Sequence, residues 1–81
     1  MSASTNPDLV VDSRGELCPL PVVKLSLGID GLKPGQVLKL LATDPGSKSD
    51  VPAWSKATGH KLLEAAESDG VYSYLLQKKG G

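Results

Sequence analysis

Six interruptions, each built on proline or glycine, leave this chain little freedom in how it folds. Gly15, Pro19-Leu20-Pro21, Lys33-Pro34-Gly35-Gln36, Asp44-Pro45-Gly46, Gly59 and Ser68-Asp69-Gly70 divide the 81 residues into six short patterned segments. Proline fixes φ and lacks a backbone donor, and glycine tolerates left-handed backbone, so both punctuate regular structure. The first segment, LVVDSR at 9–14, reads as a strand that ends at Gly15, with Gly15-Glu16-Leu17 as its exit loop. Helix 1 is expected just after Cys18, with Pro19 at its first position, where the missing N–H has no intrahelical partner to lose. Pro21 lies in the same turn and costs little for the same reason. Val22, Leu25, Ile29 and Leu32 then recur at the i, i+3, i+7 spacing of one buried helical face. The helix should stop near Leu32, where Pro34 and Gly35 suit a type II turn.

VLKLLATD at 37–44 reads as the second strand, with Leu38, Leu40 and Ala42 inward. Ser47, Ser49 and Asp50 are candidate N-caps of a helix 2 that Gly59 closes in a left-handed stop. Val51, Trp54 and Ala57 fall on one side of it, which assigns Trp54 to the core. In HKLLEAAE at 60–67 alanine and glutamate favour helix, but the Ser68-Asp69-Gly70 hairpin signal decides for a strand. VYSYLLQK at 71–78 follows, with Tyr72, Tyr74 and Leu76 alternating to one face. The order β-α-β-α-β-β predicts an α+β fold, a two-layer α/β sandwich with two helices on one face of a four-stranded mixed sheet. Residues 1–8, small and polar, are expected to form a disordered leader, and residues 9–79 a single domain. A right-handed first crossover puts the start of helix 1 at the carboxyl end of strand 1, where chemistry usually sits in such units. Cys18 belongs to that corner.

Nine basic residues balance nine acidic ones, so no net positive field draws the chain to nucleic acid or to anionic membranes. Gly28-Ile29-Asp30-Gly31 matches a GxxG nucleic-acid clamp, yet it falls in a helical pattern and carries an acid where phosphate wants a base. A single cysteine forms no internal disulfide, and no metal-ligand spacing is present, which fits a reducing compartment. The first residues lack a signal-peptide pattern, and no apolar run reaches the ~18 residues of a membrane span. A cytoplasmic location is the default expectation, with no metal and no organic cofactor.

The lone thiol concentrates the chemistry. A cysteine beside a helix N-terminus feels the positive end of the peptide dipoles, which favours thiolate over a free thiol of pKa ~8.5. Neither Pro19 nor Pro21 donates a hydrogen bond, so only the amides of Leu20 and Val22 can serve in the first turn, and the depression should be modest. Pro19 also biases Cys18 to extended backbone, projecting its side chain off the end of the helix. The plain alternative is a buried, inert cysteine acting as a small hydrophobe. No base is spaced locally. His60, after Gly59 at a strand start, either approaches in three dimensions or has a structural role. Without a Cys/His pair, a hydrolytic cysteine enzyme is disfavoured.

Asp12-x-Arg14-Gly15-x-x-Cys18-Pro19-x-Pro21, Leu32-x-Pro34-Gly35, Thr43-Asp44-Pro45, Asp50-x-Pro52, Gly59-His60 and a final Tyr-x-Tyr-x-Leu strand together resemble the TusA/SirA family of sulfur-carrier proteins. The resemblance runs through nearly the whole chain after residue 8. It implies sheet order 1-2-4-3 and a Cys18 that takes up sulfane sulfur as a persulfide and relays it without independent turnover. It implies a sulfur-donor protein, a cysteine desulfurase or rhodanese-like enzyme, and a DsrE/TusD-like or Hdr-like acceptor. The routes it implies are tRNA thiolation, molybdenum-cofactor synthesis or oxidative sulfur metabolism. Pro19 and Pro21 would shape the site. Arg14 is either a nearby positive charge or a surface strand-end residue, while Asp12 and Asp44 organise loops. The alternative is a regulatory or protein-interaction module in which Cys18 is structural or redox-sensing.

Helix 1 departs from that family pattern. Where many members carry several basic residues, only Lys24 occupies the central turns here. At 100° per residue, Leu20, Val23 and Leu27 align opposite the buried stripe and form an exposed apolar strip beside Cys18, a candidate docking surface. Gly28 and Gly31 each lower helix propensity by ~1 kcal/mol, so the helix end either frays or packs closely on the sheet.

Overall fold

A computed structural model describes residues 6–17 and 19–80. The elements follow in the order β1 (Leu9–Ser13), α1 (Leu20–Asp30), β2 (Val37–Ala42), α2 (Ser47–Thr58), β3 (Lys61–Ser68) and β4 (Val71–Gln77). The four strands form one mixed sheet of order β1-β2-β4-β3. β1 pairs parallel to β2, and both other pairings are antiparallel. This is the α+β sandwich expected from the segment order. Residues 1–5 of the expected leader lie outside the described residues. Asp8 is tied to β2 twice: its amide donates to the Val37 carbonyl at 2.7 Å, and its carboxylate accepts from the Val37 amide at 2.8 Å.

The turns act as their residues dictate. Gly35 takes φ +88°, and the Gln36 amide donates to the Lys33 carbonyl at 3.0 Å, closing the turn that reverses the chain after α1. Gly59 ends α2 at φ +84°. Asp69 and Gly70 both have positive φ, 52° and 80°, which gives the β3–β4 hairpin a two-residue turn whose twist matches the strands. β3 carries an irregularity between Leu62 and Glu64 that interrupts the outer edge of the sheet.

Alternation sends Leu38, Leu40 and Ala42 of β2 and Tyr74 and Leu76 of β4 to the helix side, where all are buried. On α1 the buried residues are Pro21, Leu25 and Ile29. The expected stripe is thereby corrected. Leu32 packs on the core only partly, and Val22 turns toward α2, because the i, i+4, i+8 row that faces the sheet starts at Pro21. Gly28 sits where the helix crosses the strands. A Cβ there would lie 2.9 Å from Leu38 Cδ1, 3.1 Å from Val11 and 3.2 Å from Leu9, so this glycine sets how closely α1 approaches the sheet. Gly31 has no such role, since its nearest neighbour would be 3.7 Å away.

Two expected helix starts are also corrected. α1 begins at Leu20, with Pro19 as its N-cap and Pro21 as its second residue. α2 begins at Ser47 after Gly46, and no side chain caps it. The physical reason is that its serines are engaged elsewhere. The Ser47 hydroxyl is buried against Tyr74 Oη at 2.7 Å, and the Ser49 hydroxyl donates to the Gly46 carbonyl at 3.3 Å. Burial raises the Tyr74 pKa above its ordinary 10, with the Ser47 bond opposing the rise. Trp54 is half-buried against the core and donates its indole N–H to Ser26 Oγ at 2.8 Å, locking α2 onto α1, whereas Ala57 stays exposed.

Candidate functional site

The parallel β1–β2 pair and the crossover put the carboxyl ends of both strands and the N-termini of both helices at one pole of the sandwich. The exit loop from β1 lies there and leads through Leu17 to Pro19. Cys18 lies outside the described residues, so the site is built from its neighbours. Leu17 is 73% exposed, and Pro19 and Leu20 are exposed as well. The Leu20 amide donates to the Leu17 carbonyl at 3.0 Å, and the Val23 amide to the Pro19 carbonyl at 3.0 Å. With the Leu20 donor engaged and Pro21 lacking one, Val22 carries the only other amide among the first three helical residues. Of the two amides expected to serve here, that of Leu20 is already engaged within the loop.

Every charge on this loop is paired. Arg14 grips Asp12 through Nε at 2.9 Å and Nη2 at 2.8 Å, with the Arg14 backbone amide at 3.0 Å. These Arg14 bonds hold the Asp12 carboxyl down at about 2 and raise Arg14 above its ordinary value. The guanidinium is thus occupied by a neighbouring carboxylate at the end of β1.

Glu16 is the hub of a second group. Its Oε1 accepts from Lys24 Nζ at 2.7 Å and from the buried Ser13 hydroxyl at 2.8 Å, and both bonds lower its pKa, that of Lys24 the more. Lys24 also reaches the Asp12 carbonyl at 3.4 Å. The Gly15 amide donates to Thr43 Oγ1 at 2.8 Å, tying the loop to the end of β2. Sequence reading gave Ser13, Glu16 and Thr43 no part in the site. The available signal was that Glu16 and Lys24 flank the thiol as opposite charges.

His60 is not brought to this pole. It precedes Lys61, which pairs through Gln77 with Val37, whereas the β1 exit adjoins Ala42. Five residues of strand, roughly 17 Å, separate the two ends. His60 stacks on Trp54 with ring centroids 5.3 Å apart, and Nδ1 accepts the Lys79 amide at 3.1 Å. Burial, aided by the charges of Lys79 and Lys78 and opposed by Asp30, lowers its pKa below 6.5. Since the folded form resists protonation, stability is constant above pH 6.5 and falls as pH drops from there through the folded pKa. Urea midpoints should decline between pH 6.5 and 5, and His60→Asn should flatten the decline. Equal slopes in both proteins would contradict this.

All three residues of the strip opposite the core are exposed. Leu20 is 46%, Val23 44% and Leu27 70% accessible, and Leu17 adds further exposed apolar surface. Beside the strip, Pro19, Val22, Asp50, Ala53, Trp54 and Ala57 line a groove of about 450 Å³. Among the described residues no three His, Cys, Asp or Glu side chains are grouped to hold a metal ion, and no helix is long and apolar enough to cross a membrane.

Comparison with known proteins gives one consistent answer. The family model described as Sulfurtransferase TusA matches residues 9–78. Sulfur carrier protein TusA of Pseudomonas paraeruginosa is 41% identical over 76 residues, covering 93% of this chain and 96% of the relative. Sulfur carrier protein TusA of Allochromatium vinosum is 39% identical over 71 residues, covering 88% and 93%. The YrkI protein of Bacillus subtilis is 41% identical over 71 residues, covering 88% and 95%. Among solved structures, a SirA-like protein from Desulfitobacterium hafniense superposes with a TM-score of 0.78 at 23% identity, covering 88% of this chain and 97% of that one, a likeness of fold.

Proposed function

The chain belongs to the TusA family, and from that premise we propose that it is a sulfur carrier whose Cys18 bears the sulfur as a persulfide. The Cys18 thiolate attacks the outer sulfur of a donor's persulfide. The donor's S–S bond breaks, its cysteine leaves as thiolate with the electron pair, and Cys18 keeps the sulfane sulfur with its proton. Transfer to an acceptor runs the same exchange again, with Cys18 as the leaving thiolate. No oxidant or reductant is consumed in either step.

The observation that carries this reading is the exposure of the residues on either side of Cys18 at the carboxyl end of β1. A carrier must meet two proteins in turn, and Leu17, Pro19 and Leu20 stand open to both. Pro19 and Pro21 fix the helix start, while the Ser13–Glu16–Lys24 group holds the loop before it. Arg14 serves as a loop residue bound to Asp12.

The donor is a cysteine desulfurase or a rhodanese-like protein, and the acceptor a DsrE/TusD-like or Hdr-like protein in the cytoplasm. Incubation with a desulfurase and cysteine, or with thiosulfate and a rhodanese, should add one sulfur atom to the intact mass, removable with dithiothreitol. Prior alkylation of the single thiol should prevent the gain. No gain from either donor refutes the proposal.

A further inference from the structure

The balanced charge of this chain conceals a polarity along the strands. At the pole that holds the β1 exit lie Asp12, Glu16, Asp44, Asp50, Glu67 and Asp69, against only Arg14, Lys24 and Lys48. At the opposite pole Lys33, Lys56, Lys61, Lys78 and Lys79 face only Asp8 and Asp30. Lys39 and Glu64 sit between, both registered with Leu75 in mid-sheet. The exit pole thus has three more anions than cations, and the far pole the reverse. Two helix N-termini offset this by about half a charge each, which still leaves an excess of about two anions.

The apolar surface described above lies in this anionic field. Leu17, Leu20, Val23 and Leu27 form its ridge, and the Val22–Trp54 groove, which Asp50 helps to line, runs alongside. The ion pairs of Arg14 with Asp12 and of Lys24 with Glu16 are neutral, so the excess comes from Asp44, Asp50, Glu67 and Asp69 against Lys48, which lies 5.8 Å from the Tyr72 ring centre. Attraction across such a face goes to a surface that is apolar at its centre and cationic around it, and repulsion excludes an acidic one.

We propose that the β1-exit pole docks a protein partner whose own sulfur-bearing residue sits among apolar and basic side chains. The inference rests on the sulfur-carrier reading for the identity of the cargo, but its charge preference can be measured apart from it. The partner's Lys and Arg meet the acidic rim while its apolar centre covers Leu20, Val23 and Leu27. The lysine-rich pole then points away from the complex.

Three short peptides, each with a central cysteine carried as the mixed disulfide with thionitrobenzoate, test this. Their flanks are Lys-Leu and Leu-Lys, Glu-Leu and Leu-Glu, or Lys-Ser and Ser-Lys. The Cys18 thiolate attacks the peptide sulfur, the S–S bond to thionitrobenzoate breaks, and that thiolate leaves with the electron pair and is read by its absorbance. Rates are divided by those of N-acetylcysteinamide, a neutral thiol, to remove intrinsic reactivity. The Lys-Leu peptide should react about tenfold faster than the Glu-Leu peptide at low ionic strength, a gap that closes near ~0.5 M salt. It should also outpace the Lys-Ser peptide, and Leu27→Ser should shrink that second gap. Glu67→Lys with Asp69→Asn, changes on the hairpin outside the sulfur site, should narrow the first gap, with unchanged thermal unfolding certifying the fold. A Glu-Leu peptide that reacts as fast, a gap indifferent to salt, or no reaction with any peptide overturns the inference. A protein that keeps the cation preference but gains no sulfur from either donor retains this surface and loses the sulfur-carrier function, whereas loading without the preference does the opposite.

Discussion

Cys18→Ser should reduce sulfur loading to nothing detectable while leaving the stability of the domain within ~0.5 kcal/mol of the parent. The first half follows from nucleophile chemistry. A serine hydroxyl remains protonated at neutral pH and is a far weaker nucleophile toward a persulfide sulfur than a cysteine thiolate. The second half follows from where the core is. Leu25, Ile29, Leu38, Leu40, Val51, Tyr74 and Leu76 pack together, whereas Leu17 and Pro19, on either side of position 18, are exposed. Intact mass after donor treatment checks loading, and denaturant midpoints check stability. A loss above ~1 kcal/mol on this substitution, with no loading by the parent protein, would instead mark Cys18 as a structural thiol in an interaction module. Oxidation of the parent by low peroxide in preference to sulfur uptake would mark a redox sensor.

What the sequence disclosed divides along a physical line. Features fixed by one residue's backbone were legible: Gly59 and Gly35 require positive φ, and Asp69-Gly70 suits a two-residue hairpin. Alternation in β2 was equally plain, because Leu38, Leu40 and Ala42 can share a face in only one way. Features that depend on where a side chain turns in three dimensions were not legible. Ser47 resembles a helix cap until Tyr74, 27 residues away, takes its hydroxyl. Val22 fits a buried spacing as well as Pro21 does, and only the seating of α1 on the sheet separates them. The pairing of Glu16 with Lys24 and Ser13, and of Gly15 with Thr43, depends on a loop path that no periodicity encodes. His60 could be placed far from the β1 exit only once the strand register was known. The motif around Cys18 pointed to the carboxyl end of β1. The architecture of that corner became visible only when distant residues converged on it.

Gly28→Val should cost about 2–3 kcal/mol, a large share of the ~5–15 kcal/mol that holds a domain together. Mid-helix glycine is ordinarily a liability of ~1 kcal/mol against alanine, so its presence here needs a compensating contact. The strand side chains supply it. A single Cβ would already stand 2.9 Å from Leu38 Cδ1, inside contact distance, with Val11 at 3.1 Å and Leu9 at 3.2 Å. Leu38 is fully buried and has no room to retreat, and the two further methyls of valine would push α1 off the sheet. Gly31→Ala provides the contrast three residues on. Its backbone is right-handed, at φ −83° and ψ −5°, and the added methyl meets nothing closer than 3.7 Å, so a gain of ~0.5–1 kcal/mol is expected. Because α1 carries both the loop contact of Lys24 and the apolar ridge, Gly28→Val should also slow sulfur loading at temperatures where the protein is still folded. Equal effects of the two substitutions on the denaturant midpoint would show that the helix–sheet seam does not govern the stability of α1.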